Sequence, residues 1–280
     1  MRYPEILSIP SKRTEFAYDE HFTMLYALGL GAGADDRDLP LVYEKGLQAL
    51  PTMAVVMSST SGEFIREGGI DARMIVHGEQ RLTVHRPLPP AGTMATTTRC
   101  LGVVDKGAAK GALVNIECVI ADAASGERHA TSIITLFCRG DGGFGGPSDG
   151  DLPLHSPPDR LHDLEVALPT LPQQAALYRL LGDLNPLHVD PDFARKAGFP
   201  RPILHGLCTY GIAGRAIVRA CCDDDPARIE RFDVRFSAPV FPGEAVTTRI
   251  WRDGSEIAFE CLVAERDAKV VRNGYCTLRP

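Results

Sequence analysis

Two kinds of apolar spacing alternate along this chain, and they come in the same order twice. Runs with helical spacing lead, and stretches in which every second residue is apolar follow. In the first half "MLYALGLGAG" and "GLQALPTMAVVMSS" precede the strand-like "GEQRLTVHRPLPPAGTMATTTRCLGVV" and an alternating run that ends at "HATSIITLFCRG". In the second half "ALYRLLGDLNPLH" and "ILHGLCTYGIAGRAIVRACC" precede "RIERFDVRFSAPVFPGEAVTTRIW" and a run that ends at "VVRNGYCTLRP". The spacings agree: 26 positions from Leu25 to Pro51 against 28 from Leu177 to His205, then 36 from Pro51 to Pro87 against 34 from His205 to Pro239. An internal duplication accounts for this. Between the halves lies "RGDGGFGGPSDGDLPLHSPP", where six Gly and four Pro fill half of twenty positions, the composition of a linker. The expected division is an N-terminal unit over 1–138, a linker over 139–172 and a C-terminal unit over 173–280.

Each unit is expected to hold one long apolar helix and several strands joined by short turns. Short turns give antiparallel sheets, so the fold class is α+β, with a sheet wrapped around its helix. Two such units could join edge to edge and make a dimer-like monomer.

Composition narrows the partners. The chain has 280 residues, 44% hydrophobic and 24% charged, with a formal net charge of -6. That balance argues against nucleic acid or an anionic membrane held by overall basicity. No apolar run approaches the roughly 20 residues of a membrane span, and "MRYPEILSIPSKRTEF" lacks a signal-peptide core, so a cytoplasmic location is expected. The eight cysteines include no CxxC pair and mostly sit in apolar runs, which reads as reduced core thiols. The eight histidines show no pair at metal-ligand spacing, and no metal is expected.

The chemistry concentrates in "LYRLLGDLNPLHVDPDFARKAGFPRPILHGL". Pro186 suits the first turn of a helix and Asn185 its cap, which puts Asp183 on a turn and His188 on the next short helix. A turn followed by a helix can bring the two side chains to one point, where an unbroken helix would separate them. The same residues would also serve as a plain Asx-turn and helix cap. Seventeen residues further on, His205 and Gly206 stand where a long apolar helix begins. A helix start offers unpaired N–H groups, and glycine lets a ligand carbonyl approach. Acid, imidazole and oxyanion donor together suggest chemistry on a thioester. His205 could either position the helix start or touch substrate.

"YRLLGDLNPLHVDPDFARKAGFPRPILHG" resembles the signature of the R-specific enoyl-CoA hydratases, the MaoC-like or hydratase 2 group. "VHGEQRLTVHRPLPPAG" and "LFCRGDGGFGG" resemble the non-catalytic half of its longer members. The resemblance implies two tandem hot-dog units forming a double hot dog, and reversible hydration of trans-2-enoyl-CoA to (3R)-3-hydroxyacyl-CoA in fatty-acyl metabolism. It implies Asp183 and His188 as the catalytic pair, the Gly206 N–H as oxyanion donor, and Asn185 as organiser of the loop at the substrate. No cofactor is implied beyond the coenzyme A the substrate carries, and a homodimer is. Leu181 departs from the pattern, since many members have a small or hydroxyl-bearing residue there.

The first half has no Asn-Pro and no His in the corresponding stretch, and reads Pro51-Thr52 at the oxyanion position. One active site per chain follows. Met53 and Val56, followed by a Ser/Thr/Gly run, are candidates for lining an acyl pocket, because methionine adapts to irregular apolar ligands. His77 and His85 read as strand residues satisfied by neighbours. Arg81, Arg86, Lys106 and Lys110 are the cations of the first half that coenzyme A phosphates could meet, but each reads first as an ordinary solvated charge and none is assigned that role. Alternatives in keeping with the same residues are a dehydratase acting on acyl-carrier-protein thioesters, a hot-dog thioesterase and a non-catalytic acyl-binding subunit.

Overall fold

The structure, a computed structural model, describes residues 1–58 and 61–280, with only the backbone of Ser61 and Glu63. Ten strands carry it: β1 (Lys12–Tyr18), β2 (Ile75–Val84), β3 (Gly92–Asp105), β4 (Ala112–Asp122), β5 (Arg128–Cys138), β6 (Leu164–Pro169), β7 (Ile229–Phe236), β8 (Ala245–Asp253), β9 (Glu256–Val263) and β10 (Ala268–Leu278). They form one sheet in the order β1-β3-β4-β5-β2-β7-β10-β9-β8-β6. Every pairing is antiparallel. Read outward from the β2–β7 seam, the two halves have the same topology, as duplication followed by edge-to-edge joining requires. At the seam Gln80 pairs with Val234 and Leu82 with Phe232. Leu82, Phe232 and Val234 alternate onto the buried face, where both halves share one apolar core. The fold is the expected α+β double hot dog.

The helices are α1 (Glu20–Gly29), α2 (Leu39–Val42), α3 (Ala54–Met57), α4 (Ser61–Glu67), α5 (Gln174–Tyr178), α6 (Pro191–Lys196) and α7 (Gly206–Cys221). The second-half helix is long as expected: 12 of the 16 residues of α7 are buried. Its counterpart differs. A 3-10 turn at Pro51–Met53 leads into the four residues of α3, and α4 follows separately. Val55 and Val56 are weak helix formers, and the Ser58 hydroxyl turns back to donate to the Val55 carbonyl at 2.8 Å, a local bond that competes with helix continuation. Ser59 and Thr60, part of the Ser/Thr/Gly run, lie outside the described residues.

Composition also drew the linker too long at its far end. Leu164–Pro169, inside the expected 139–172, is β6, the edge strand paired with β8 from Leu164↔Ile250 to Pro169↔Ala245. An edge strand tolerates proline, and six residues among prolines carry too little alternation to read. The rest of the linker is tied down. Asp105 accepts from the Gly143 and Gly145 N–H groups at 2.7 and 2.8 Å, and the His155 ring stacks on Tyr275 at 3.6 Å. All eight cysteines are free thiols, seven of them buried. No helix among the described residues is long and apolar enough to cross a membrane.

Two features bind α7 to the first half. A Cβ on Gly211 would lie 2.5 Å from Leu30 Cδ2, and one on Gly214 2.9 Å from Thr52 Cγ2, so these glycines allow backbone-range contact between the units. Beside them Arg215 donates to both carboxylate oxygens of Asp38 at 3.0 Å and to the Leu30 carbonyl at 2.7 Å. Arg219 adds a 2.9 Å bond to Asp38. The Arg215 and Asp38 side chains are 3% and 4% exposed, so removing one partner strands a buried charge. Asp38→Asn is therefore expected to lower unfolding stability by about 3–5 kcal/mol. Asp35→Asn, on the half-exposed rim of the same cluster, should cost less than about 1 kcal/mol. Urea unfolding of the two variants measures the contrast, and equal losses would contradict it.

Candidate active site

The chain reaches the site through a sharp reversal. After α5 a 3-10 turn, Arg179–Leu181, ends at Gly182, whose φ of +115° is left-handed and suits glycine. Leu181 turns inward, buried against Gly29 of α1, so this position serves the core and not the loop's polar bonding. Asp183 follows, exposed, with one carboxylate oxygen accepting the Asn185 N–H at 3.1 Å. Asn185 caps the next turn, Pro186–His188, through a 3.0 Å bond from the Leu187 N–H. The Asx-turn and the cap are thus both present, and they are what aims Asp183 and His188.

His188 is 8% exposed, and its Nδ1 lies 2.8 Å from the Ile203 carbonyl. A carbonyl only accepts, so Nδ1 carries the proton and Nε2 keeps its lone pair. His205, 1% exposed, is the cap residue of α7, and its ring stacks on that of His188 with centroids 3.7 Å apart. Its Nε2 lies 3.2 Å from the Asp183 carbonyl. The Gly206 and Leu207 N–H groups, at the first two positions of α7, have no partner available inside the helix. Gly206 faces the Phe236 ring of β7, whose edge meets the His77 ring of β2 at 5.0 Å. The first half therefore reaches the site across the seam.

Donor atoms of Asp183, His188 and His205 all lie within 4.8 Å of one another, a convergence the sequence spacing did not reveal. It does not have the shape of a metal site. Two stacked imidazoles with centroids 3.7 Å apart and planes inclined by only 27° do not aim their in-plane lone pairs at one point about 2.0–2.1 Å from both nitrogens, as zinc requires. The arrangement suits proton transfer instead: a carboxylate and a neutral imidazole with a free lone pair, beside backbone N–H groups that have no partner within their helix.

Burial lowers the His188 pKa from its ordinary value, with the Ile203 bond and nearby Asp183 opposing. His205 is pushed down to about 4, by burial first and the adjacent His188 second. Both rings are neutral at pH 7.

The other expected residues are placed as follows. Met53 is fully buried in the common core and Val56 partly buried at its margin. His77 bonds the Glu79 carbonyl at 3.2 Å and His85 the Thr131 hydroxyl at 2.9 Å. Arg81, Arg86 and Lys106 are ion-paired with Glu79, Glu127 and Asp151. Sequence reasoning passed over Tyr178, whose ring lies 5.0 Å from that of His205. Its place in an apolar helix run made it look like core alone.

Residues 154–273 match the model of the MaoC like domain, and residues 16–140 that of the MFE-2 hydratase 2 N-terminal domain. An enoyl-CoA hydratase of Mycobacterium tuberculosis is 41% identical over 271 residues, spanning 93% of this chain and 92% of its own. A peroxisomal enoyl-CoA hydratase 2 of Arabidopsis thaliana is 37% identical over 95% of this chain and 92% of its own. Among solved structures, a MaoC-like dehydratase from Phytophthora capsici superposes with a TM-score of 0.90 at 32% identity, covering 100% of this chain and 98% of that one.

The buried imidazoles also set a limit on stability. His205 binds its proton near pH 4 when folded and near its ordinary value of about 6.5 when unfolded. Between those values the unfolded chain holds more protons, so stability is full above about pH 6.5 and falls as pH drops toward 4. Urea unfolding across this window should show that decline, and His205→Gln should make it shallower. A decline unchanged by His205→Gln would mean that the ring is not held neutral by burial.

Proposed function

The chain belongs to the MaoC-like, hydratase 2 family, and from that premise we propose that its second half hydrates trans-2-enoyl-CoA reversibly to (3R)-3-hydroxyacyl-CoA. It is a hydro-lyase acting on enoyl-CoA thioesters in fatty-acid metabolism. The observation that carries the mechanism is the meeting of Asp183, His188 and the start of α7 at one point.

In the proposed reaction a water lies between the Asp183 carboxylate and His188 Nε2, the one ring nitrogen of His188 left with a lone pair. These two groups take its proton as its oxygen attacks C3, and a proton is delivered to C2 on the same face. Charge builds on the thioester oxygen meanwhile. In this scheme the Gly206 N–H receives it, and such a preorganised donor is typically worth ~3–4 kcal/mol. Asn185 holds the loop at the substrate, and His205 stands behind it. No metal or further cofactor takes part in this scheme, and coenzyme A arrives with the substrate. The 3R outcome rests on the resemblance of the loop to its family.

The acyl chain is assigned to the first half. There the helix that would fill the space is interrupted after α3, and Met53 and Val56 lie just before the interruption. Homodimeric assembly and a cytoplasmic location complete the proposal. The first rests on family resemblance, and free thiols fit a reducing compartment.

Asp183→Asn and His188→Ala are each expected to lower turnover of crotonyl-CoA by on the order of 10² or more, followed as loss of the enoyl-thioester absorbance. Near-parental turnover in either folded variant would remove that residue from the mechanism. Val56→Trp should reduce activity on long or bulky enoyl chains far more than on crotonyl-CoA. An equal loss on both would make the first half a structural partner only.

A further inference from the structure

Apart from the Nε of Arg179 on the adjoining turn, two buried polar atoms at the site have no hydrogen-bond partner among the described residues: the Tyr178 hydroxyl and Nδ1 of His205. They belong to rings whose centroids are 5.0 Å apart, in residues 2% and 1% exposed. An unsatisfied buried group carries a penalty of about 1–3 kcal/mol, so two complementary ones on neighbouring rings call for an explanation.

The proton inventory supplies it. A neutral imidazole has one N–H. His205 Nε2 faces the Asp183 carbonyl, which can only accept, so the proton belongs on Nε2 and Nδ1 is an acceptor. The Tyr178 hydroxyl is a donor of the right kind: burial raises its pKa well above the ordinary value, and it stays protonated. We propose that Tyr178 and His205 are a positioning pair, in which the tyrosine O–H donates to Nδ1 directly or through one buried water and so fixes the proton on Nε2. That proton holds the Asp183 carbonyl, and with it the turn that presents the Asp183 carboxylate. The same ring, stacked on His188, sets the other proton carrier. A His205 ring carrying its proton on Nδ1 would turn a lone pair toward the carbonyl and release the loop.

The inference rests on the reading of Asp183 as a proton carrier, but its first test does not. In protein labelled with 15N-histidine, the two-bond correlation pattern of His205 at pH 7 is expected to show the Nε2–H tautomer in the parent. Tyr178→Phe should yield a mixture of tautomers. The Nδ1–H form in the parent, or an unchanged single tautomer in Tyr178→Phe, overturns the proposal whatever the enzyme's activity. In kinetics Tyr178→Phe should lower kcat about ten-fold with KM for crotonyl-CoA little changed, the scale of one neutral hydrogen bond. His205→Gln, which can place an amide N–H where Nε2 was, should retain more of kcat than His205→Ala. Parental kcat in Tyr178→Phe, or equal losses in the two His205 variants, would likewise overturn it.

Discussion

Arg215 lies in the middle of a helix that is buried along most of its length, and a charge there must be paired. Its partner, Asp38, comes from the other half of the chain. The pairing presses Leu30 and the segment after α1 against α7, at the height where Gly211 and Gly214 remove the side chains that would keep them apart. From α1 the constraint passes on to α5. Gln174 donates to the Gly29 carbonyl at 2.6 Å, and Tyr178 and Leu181 lie against Gly29. Asp183 leaves from the end of that clamped segment. The first half thus braces the loop proposed to carry the catalytic groups, which gives the duplication a mechanical purpose apart from any acyl pocket.

At the loop itself, structural and chemical uses of the same residues reinforce each other. The Asx-turn at Asp183 and the cap at Asn185 are ordinary local bonds, yet together with a left-handed glycine they place an exposed carboxylate beside a buried imidazole. Burial then keeps that imidazole neutral, and the Ile203 carbonyl decides which of its nitrogens is free. Little of this depends on long-range electrostatics. It depends on which carbonyl each ring nitrogen meets.

Much of this was legible in the sequence, and what was not has physical reasons. Asn185-Pro186 announces a helix start by itself, since proline fixes its own φ and asparagine caps, so the separate placing of Asp183 and His188 could be read locally. The duplication showed in element order and spacing, and with it the shared topology of the halves. Edge strand β6 was missed because its six residues stand among prolines that dominate the composition. The interruption of the first-half helix was hinted at only by the Ser/Thr/Gly run after Met57, because apolar spacing does not register a serine hydroxyl turning back onto its own backbone. His205 and Tyr178 were the hardest to judge. Their roles follow from partners 22 and 27 positions apart along the chain, contacts that no local pattern encodes.

Hydration by Asp183 and His188 requires both proton carriers to stand on one face of the double bond, so that oxygen and hydrogen arrive from the same side. Hydrating crotonyl-CoA in D2O and reading the coupling between the C2 and C3 protons of the 3-hydroxybutyryl product by NMR tests this directly. A single diastereomer with the new C2 deuterium syn to the hydroxyl is the expected result. Anti addition, or a mixture of the two diastereomers at early times, would contradict a site built from Asp183 and His188 on one loop.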